Sequence, residues 1–212
     1  MAELILGPLW TLSVWVFCLG ITGRMIAIVV RGFSRDHARA RNSALSGSIA
    51  AIVRRNWQRP QFRQAGAFVL ISGYMFHLGL LVLLFFAEPH AVFIEQHILG
   101  FGWPAVPHWA FILAAEFAFA GLLLLWLRRF VHPVVRLLST RDNHIAAGLT
   151  FFAMLTGCLA LLEYFEALRV LHVFAIELLM LYFPFSSLMH TFTIFMSRGS
   201  SGALAGRRGA GI

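Results

Sequence analysis

Three histidines inside apolar stretches are the residues of this sequence best suited to chemistry. His77 lies within GYMFHLGLLVLLFF, and His172 and His190 lie near the two ends of 171–195, a stretch without Arg, Lys or Asp. An ionisable side chain inside a bilayer is costly and usually marks an ion path, a proton relay or a cofactor ligand. We therefore predict that these histidines bind a cofactor or move protons.

The spacing of the histidines favours two stacked metal cofactors. His172 and His190 are 18 positions apart, and a continuous helix would place them on one face, about 27 Å apart. His77 and His190 would lie roughly 17 Å and roughly 12 Å from the cytoplasmic ends of their helices. Imidazole suits iron, so this similar depth predicts that the two rings bind one haem iron from opposite sides. Gly73 and Gly79 would leave room for a flat macrocycle beside the helix.

Composition indicates an integral membrane protein. The 212 residues are 59% hydrophobic and 12% charged, with a mean hydropathy of +0.79, which is too apolar for a soluble domain. All 17 basic residues are Arg and lie mainly in the predicted loops, so membrane topology explains the net charge and we expect no nucleic-acid partner. Cys18 and Cys158 fall in apolar stretches without a paired motif, and we interpret both as small core residues.

Five apolar runs predict an all-α membrane protein with a five-transmembrane-helix bundle. The runs cover 4–25, 66–87, 109–126, 145–162 and 171–195, each near the length that crosses a hydrocarbon core. Because Glu3 stands where a signal peptide would be basic, we expect the first run to remain as a helix. We predict a cytochrome-like transmembrane domain over 1–198 and a flexible, Gly/Ser-rich cytoplasmic tail over 199–212.

Arginine is distributed unevenly between the loops. Segments 31–63 and 128–141 and the tail are rich in Arg, whereas 88–107 contains none. The positive-inside rule then predicts an outer amino terminus and a cytoplasmic carboxyl terminus, in the cell inner (cytoplasmic) membrane.

Two connecting segments have helical patterns. Residues 43–53 are either an amphipathic helix on the cytoplasmic membrane face or an ordinary solvated connector. Residues 92–99 predict a short interfacial helix, with Trp103 and Trp109 at headgroup level.

Acidic residues in the outer half of the bundle are candidates for quinone and proton chemistry. Glu177 lies in the last apolar run and Glu116 in the third. A buried carboxyl has its ionised form disfavoured by desolvation, which suits proton transfer. Glu163, Tyr164 and Glu166 cluster at the end of the fourth run, and we interpret the two acids as capping or solvated residues.

Two sequence features carry a family resemblance: FHLG at 76–79, and LH at 171–172 followed by FPFSSLMH at 183–190. With them the chain resembles the gamma, cytochrome b subunit of respiratory nitrate reductases and its relatives, including membrane cytochromes linked to heterodisulfide-reductase-like proteins of the sulfur cycle. The resemblance implies a di-haem b subunit of a multi-subunit oxidoreductase that oxidises quinol or reduces quinone and exchanges electrons with a cytoplasmic iron–sulfur partner. It also implies that His77 and His190 hold the inner haem and His172 the outer one.

The chain departs from that family at one ligand position. The family has a second histidine ten residues after the first, where this sequence has Ala87. We predict that His90 replaces it, roughly 20 Å beyond His77 if helical geometry persists, although Pro89 is expected to end or kink the helix. His108 and His97 are the other candidates on that side, and a single-haem protein is the competing interpretation.

A different class of function is also compatible with intramembrane histidines. A membrane transporter or channel subunit without haem would use them to relay protons. Transporters often contain internal repeats and paired helix breaks, and the sequence shows neither.

Overall fold

The computed structural model describes residues 2–32, 39–56, 63–162 and 165–210. Within these ranges the chain consists of helices and short connections, with no strand. Five helices are long and apolar enough to cross a membrane: Ala2–Arg31, Gly66–Phe86, His108–Val131, Arg141–Ala160 and Glu166–Phe185. The predictions of an all-helical fold and of five candidate spans are confirmed, and these spans are those of a multi-pass membrane protein.

The helices form two compact units, one of Met1–Phe62 with Glu166–Ile212 and one of Arg63–Phe165. The helices are α1 (Ala2–Leu4), α2 (Trp10–Arg31), α3 (Ala44–Arg54), α4 (Arg63–Phe86), α5 (Glu88–Ile94), α6 (His108–Val131), α7 (Pro133–Leu138), α8 (Arg141–Ala160), α9 (Glu166–Tyr182) and α10 (His190–Arg207). In the first unit α2 packs against α9, and α3 packs against α10; in the second, α4 packs against α6, which also contacts α8. A π-helical turn, Ile5–Leu9, joins α1 to α2.

Glycine allows α4 and α6 to approach closely. A Cβ added at Gly79 would lie 2.5 Å from the carbonyl oxygen of Ala114, and one added at Gly121 would lie 2.4 Å from the amide nitrogen of Phe76. Such backbone proximity is typical of small residues at helix contacts in membranes. The core cluster of this unit lies around the same contact, with Ala118 and Leu122 on α6 buried.

The last apolar run is not one helix. After α9 the chain forms a 3-10 turn at Phe183–Phe185, then Ser186 is extended, and a second 3-10 turn, Ser187–Met189, leads into α10. Pro184 lacks an amide N–H and cannot continue an α-helix. The prediction of one continuous helix over 171–195 is therefore wrong, and so is the same-face register of five turns derived from it.

Helix α10 extends well into the predicted flexible tail, as far as Arg207. Its glycines pack on α3: a Cβ at Gly202 would lie 2.4 Å from the Cβ of Ala51, and one at Gly206 would lie 2.7 Å from the carbonyl oxygen of Ser43. Over its described residues this segment is ordered by packing, because the same glycines that suggested flexibility permit the close contact.

The two helical patterns in the connecting segments both correspond to helices. Helix α3 begins after Ser43, whose Oγ accepts a hydrogen bond from the Ser46 amide at 3.4 Å, as an N-cap serine does. On the other segment, α5 is followed by a π-helical turn, Glu95–Leu99. That turn ends at Gly100, whose φ is 74°. Glycine adopts a positive φ of this size more readily than other residues do. The helix predicted over 92–99 is confirmed and begins earlier than expected.

Candidate functional site

His77 lies in the middle of the second span, on α4, with its side chain exposed at the surface of the helix. Its Nδ1 is 2.7 Å from the carbonyl oxygen of Gly73, one turn earlier. Because a carbonyl oxygen only accepts, Nδ1 is the protonated nitrogen and donates this bond. The ring also makes an edge contact with Phe76, with centroids 4.7 Å apart. This tautomer leaves Nε2 as the nitrogen through which His77 would ligate a metal.

The two glycines near His77 have different roles. A Cβ at Gly73 would meet nothing within 4 Å, so the helix surface next to the histidine is open there. Gly79 is buried against α6, as described above. The predicted opening for a macrocycle is therefore retained for Gly73, whereas the prediction for Gly79 is wrong because α6 fills that face.

His190 is the first residue of α10 and is exposed. Its Nδ1 is 2.7 Å from the carbonyl oxygen of Ser187, so this ring too is anchored to the backbone through Nδ1 and would ligate through Nε2. The last candidate span ends at Phe185. His190 thus follows the helix break and lies on a different helix from His172.

His172 is half-buried on α9 and lies within the last candidate span, Glu166–Phe185. The helix break separates it from His190, so each of these two histidines is positioned by a different helix of the first unit.

The chain changes direction sharply just before His90, one of the predicted ligands. Helix α4 ends at Phe86, Ala87 is extended with ψ of 135°, and α5 begins at Glu88 with Pro89 in its first turn. His90 Nδ1 is 2.8 Å from the carbonyl oxygen of Leu83. The helix end expected near Pro89 is confirmed. Because the helix does not continue, the His90 ring lies against the last turn of α4 and does not extend roughly 20 Å beyond His77.

The two other histidines considered for the outer site lie in different surroundings. His97 is stacked on Phe93 with centroids 4.7 Å apart, and its Nδ1 is 3.2 Å from the carbonyl oxygen of the same residue. His108 is exposed at the first position of α6, after Pro107. Of the three candidates, His90 alone is half-buried.

The candidate acids separate clearly by burial. Glu177 on α9 has 0% of its surface exposed, and neither of its carboxyl oxygens has a hydrogen-bond partner among the described residues. Glu116 on α6 and Glu166 at the start of α9 are exposed. Glu163 and Tyr164 lie outside the described residues. Burial therefore distinguishes Glu177 from the other described candidates.

Side chains at the α3–α10 contact tie the two helices together. Arg55 Nη1 donates to the hydroxyl of Ser201, and Arg198 Nη1 donates to the amide oxygen of Asn56. This contact is not evident from the sequence, because its signal is a set of small residues in two segments that are far apart in the chain.

Each predicted ligand pair takes one histidine from each unit: His77 and His90 belong to the second, and His190 and His172 to the first. Among the described residues, no group of three or more His, Cys, Asp or Glu side chains is arranged to hold a metal ion. A haem iron with two axial imidazoles requires only two such side chains, so the pairing stays a prediction.

Comparison with known proteins identifies one relative without a functional description. A protein of Nitratidesulfovibrio vulgaris is 28% identical over 207 residues, which cover 92% of this chain and 89% of the relative, and its name is simply "Protein". No protein-family model matches the chain, and no solved structure matches it. The likeness extends along nearly the whole chain but indicates no activity.

Proposed function

We propose that this protein is a membrane cytochrome b subunit that transfers electrons between the quinone pool and a cytoplasmic iron–sulfur partner. His77 and His190 hold an inner haem b, and His172 and His90 hold an outer one. The protein is then the quinol-oxidising or quinone-reducing subunit of a larger oxidoreductase. The remaining catalytic chemistry belongs to partner subunits.

The observation that carries this proposal is the shared anchoring of the two inner histidines. In both His77 and His190 the Nδ1 atom lies 2.7 Å from a backbone carbonyl oxygen. Histidines that ligate metals usually donate their second ring N–H to such a group, which fixes the tautomer and the ring orientation. His97, which lies outside the candidate spans, also has its Nδ1 close to a backbone carbonyl oxygen. The position of His77 within a candidate span therefore provides the further support.

The helix surface around His77 fits a flat ring. Gly73 lies one turn before His77, and no atom lies within 4 Å of a Cβ placed there. A macrocycle lying against α4 at this point would meet backbone instead of side chain. Gly79, two positions after the histidine, fixes the opposite side of the helix to α6, so the ring is presented by a rigid support.

Haem b with two imidazole ligands accepts and releases one electron and leaves no open coordination position for oxygen. The contribution of the chain is to hold the rings of His77, His90 and His190 through Nδ1. Such bonds orient a ligand and help to tune the metal that it would hold.

The arginine distribution supports a cytoplasmic position for α3 and α10. Residues 39–56 and 190–210 contain no acidic residue, and the positive-inside rule favours the cytoplasmic side of the inner membrane for both segments. Their arginines are Arg39, Arg41, Arg54, Arg55, Arg198, Arg207 and Arg208. A basic surface of this kind suits an acidic partner protein, so we assign the docking of the iron–sulfur subunit to it.

A second candidate function is favoured by one specific observation. The helix break at Phe183–Met189 follows a helix that contains a fully buried carboxyl, Glu177. Broken helices and buried acids are features of transporters and proton relays. A haem-free transporter or channel subunit would use Glu177 and the histidines as proton-carrying groups.

Optical spectroscopy separates the two functions. The full chain, purified from a haem-sufficient host, is expected to give the reduced-minus-oxidised spectrum of a b haem with dithionite, and again with the quinol of menadione. A variant with both His77→Ala and His190→Ala should lose the inner-haem component. A wild-type protein without any haem spectrum would refute the cytochrome and favour the transporter.

A further inference from the structure

Glu177 is the largest fully buried side chain among the described residues. It has 0% exposure, and both of its carboxyl oxygens are without a hydrogen-bond partner there. Buried polar groups are almost always paired. This exception lies within the last candidate span, five residues after His172, and is not explained by the fold.

The packing of α9 on α2 defines the level at which Glu177 lies. A Cβ at Gly20 would be 2.5 Å from the Cβ of Pro184, and the turn Ile5–Leu9 contacts α9. The two helices therefore run side by side in the same direction. Two turns before Gly20 is Ser13, and two turns before Pro184 is Glu177, so both lie at one level.

Ser13 is also fully buried, with 0% exposure, and its hydroxyl donates to the Leu9 carbonyl oxygen at 2.8 Å. Two polar side chains are thus enclosed at the same level of an otherwise apolar contact. The sequence alone does not single out Ser13, because a single serine in an apolar run is common in membrane helices.

Within the described elements that pack against α9 in its own unit, no basic side chain is buried. The turns Ile5–Leu9 and Phe183–Phe185 contain no titratable residue, and the titratable residues of α2 are Cys18, Arg24 and Arg31, all of which are exposed. An unpaired buried carboxylate is strongly disfavoured, so the neutral acid is the form that this site accommodates. A neutral carboxyl both donates and accepts hydrogen bonds.

We propose that Glu177 is the proton-exchange group of a quinone site on α9, an inference that rests on the proposed function. A quinone becomes a quinol by gaining two electrons and two protons. Bound b haems would supply or accept the two electrons, the Glu177 carboxyl exchanges one proton with a quinone oxygen, and water exchanges the other. Water restores the carboxyl to its starting state, and quinol oxidation is the same sequence reversed.

Infrared spectroscopy on the full chain tests this directly, with glutamate labelled by ¹³C to assign its bands. At neutral pH the wild-type protein should show the carbonyl stretch of a protonated carboxylic acid. That band should shift when menadione is added. It should be absent in Glu177→Gln and retained in the matched control Glu166→Gln, which changes an exposed acid on the same helix.

A wild-type spectrum without the protonated-carboxyl band, or with a band that menadione does not shift, would overturn the inference. These wild-type measurements need no variant, so a folding defect in Glu177→Gln cannot obscure them. Glu177→Gln should also slow haem reduction by the quinol of menadione by about 100-fold, the usual contribution of a positioned acid or base, without loss of haem. Haem content in the same samples separates the cytochrome function from the role of Glu177. Normal haem content, together with a carboxyl band that menadione does not shift, refutes only the role of Glu177.

Discussion

The two units each contain a helix pair joined by glycine, and the pairs differ in their surroundings. In the second unit Gly79 and Gly121 bring α4 and α6 together within an apolar core. In the first, Gly47, Gly202 and Gly206 bring α3 and α10 together, with arginines of both helices bonded across the edge of the contact. Close backbone approach thus occurs both in a span and in an arginine-rich segment.

Glycine contacts also fix the two helices that carry His77 and His190. His77 lies on α4, exposed, while Gly79 is buried against α6. His190 is the first residue of α10, whose later turns are fixed by Gly202 against α3. Each imidazole therefore stands on a helix whose position is set by a glycine contact, and such rigid support is what a ligand needs.

The largest effect should come from removing either inner ligand. His77→Ala and His190→Ala should each abolish the inner haem and stop electron flow to a cytoplasmic partner, because a methyl group provides no coordination bond. Both variants should give the same reduced-minus-oxidised spectrum, and His97→Ala should match the wild type. If either inner variant kept its full haem content, the predicted pairing of His77 with His190 would be refuted.

Removal of the outer ligand should have a more selective effect. His90→Ala should abolish the spectrum of one haem and spare the other, because Ala87 has no ligating atom. Quinol oxidation should be lost with it if the quinone binds beside the outer haem. Loss of that spectrum in His108→Ala, together with an unchanged His90→Ala, would move the ligand to the start of α6.

The glycine contacts predict matched losses of stability in the two units. Gly121→Ala and Gly202→Ala would place a Cβ within 2.4 Å of a neighbouring atom, and overpacking of this kind costs about 1–3 kcal/mol. Gly23→Ala on α2, where a Cβ meets nothing within 4 Å, should instead stabilise by roughly 0.5–1 kcal/mol. Thermal unfolding in detergent measures all three. Tolerance of Gly202→Ala alone would show that the α3–α10 contact is looser than the α4–α6 contact.

The smallest effect on folding, with a specific effect on haem, is expected at Gly73. Gly73→Leu puts a side chain into the open surface beside His77, where nothing lies within 4 Å of the new Cβ. Haem content should fall while the unfolding temperature stays near that of Gly23→Leu, the matched control at another open glycine. Equal haem content in the two variants would mean that the macrocycle does not lie against this face.

The coarse fold could be predicted from the sequence, because apolar length alone identifies a span. The extent of α10 could not, since Gly and Ser in a polar segment indicate flexibility unless a second segment offers small residues to pack against. Gly47 and Ala51, the residues that do so, are more than 140 positions before Gly202.

The candidate site was predicted unevenly for similar reasons. The residue types of His77, His172 and Glu177 marked them as unusual in apolar runs, but the sequence did not reveal how fully Glu177 is buried. The positions of His190 and His90 depend on what the chain does at Pro184 and Pro89. Pro184 precedes the break before α10, and Pro89 follows the extended Ala87 in the first turn of α5. A uniform 3.6-residue period omits both changes in helix direction.

The most direct measurement of the central claim is the amount of haem b per polypeptide in the purified full chain, determined as the pyridine haemochrome. Four histidines in two pairs predict a ratio of about two. A ratio of about one would mean that the inner pair binds haem and that the outer pair does not. A ratio of zero, from a folded protein produced with sufficient haem, would contradict the cytochrome account.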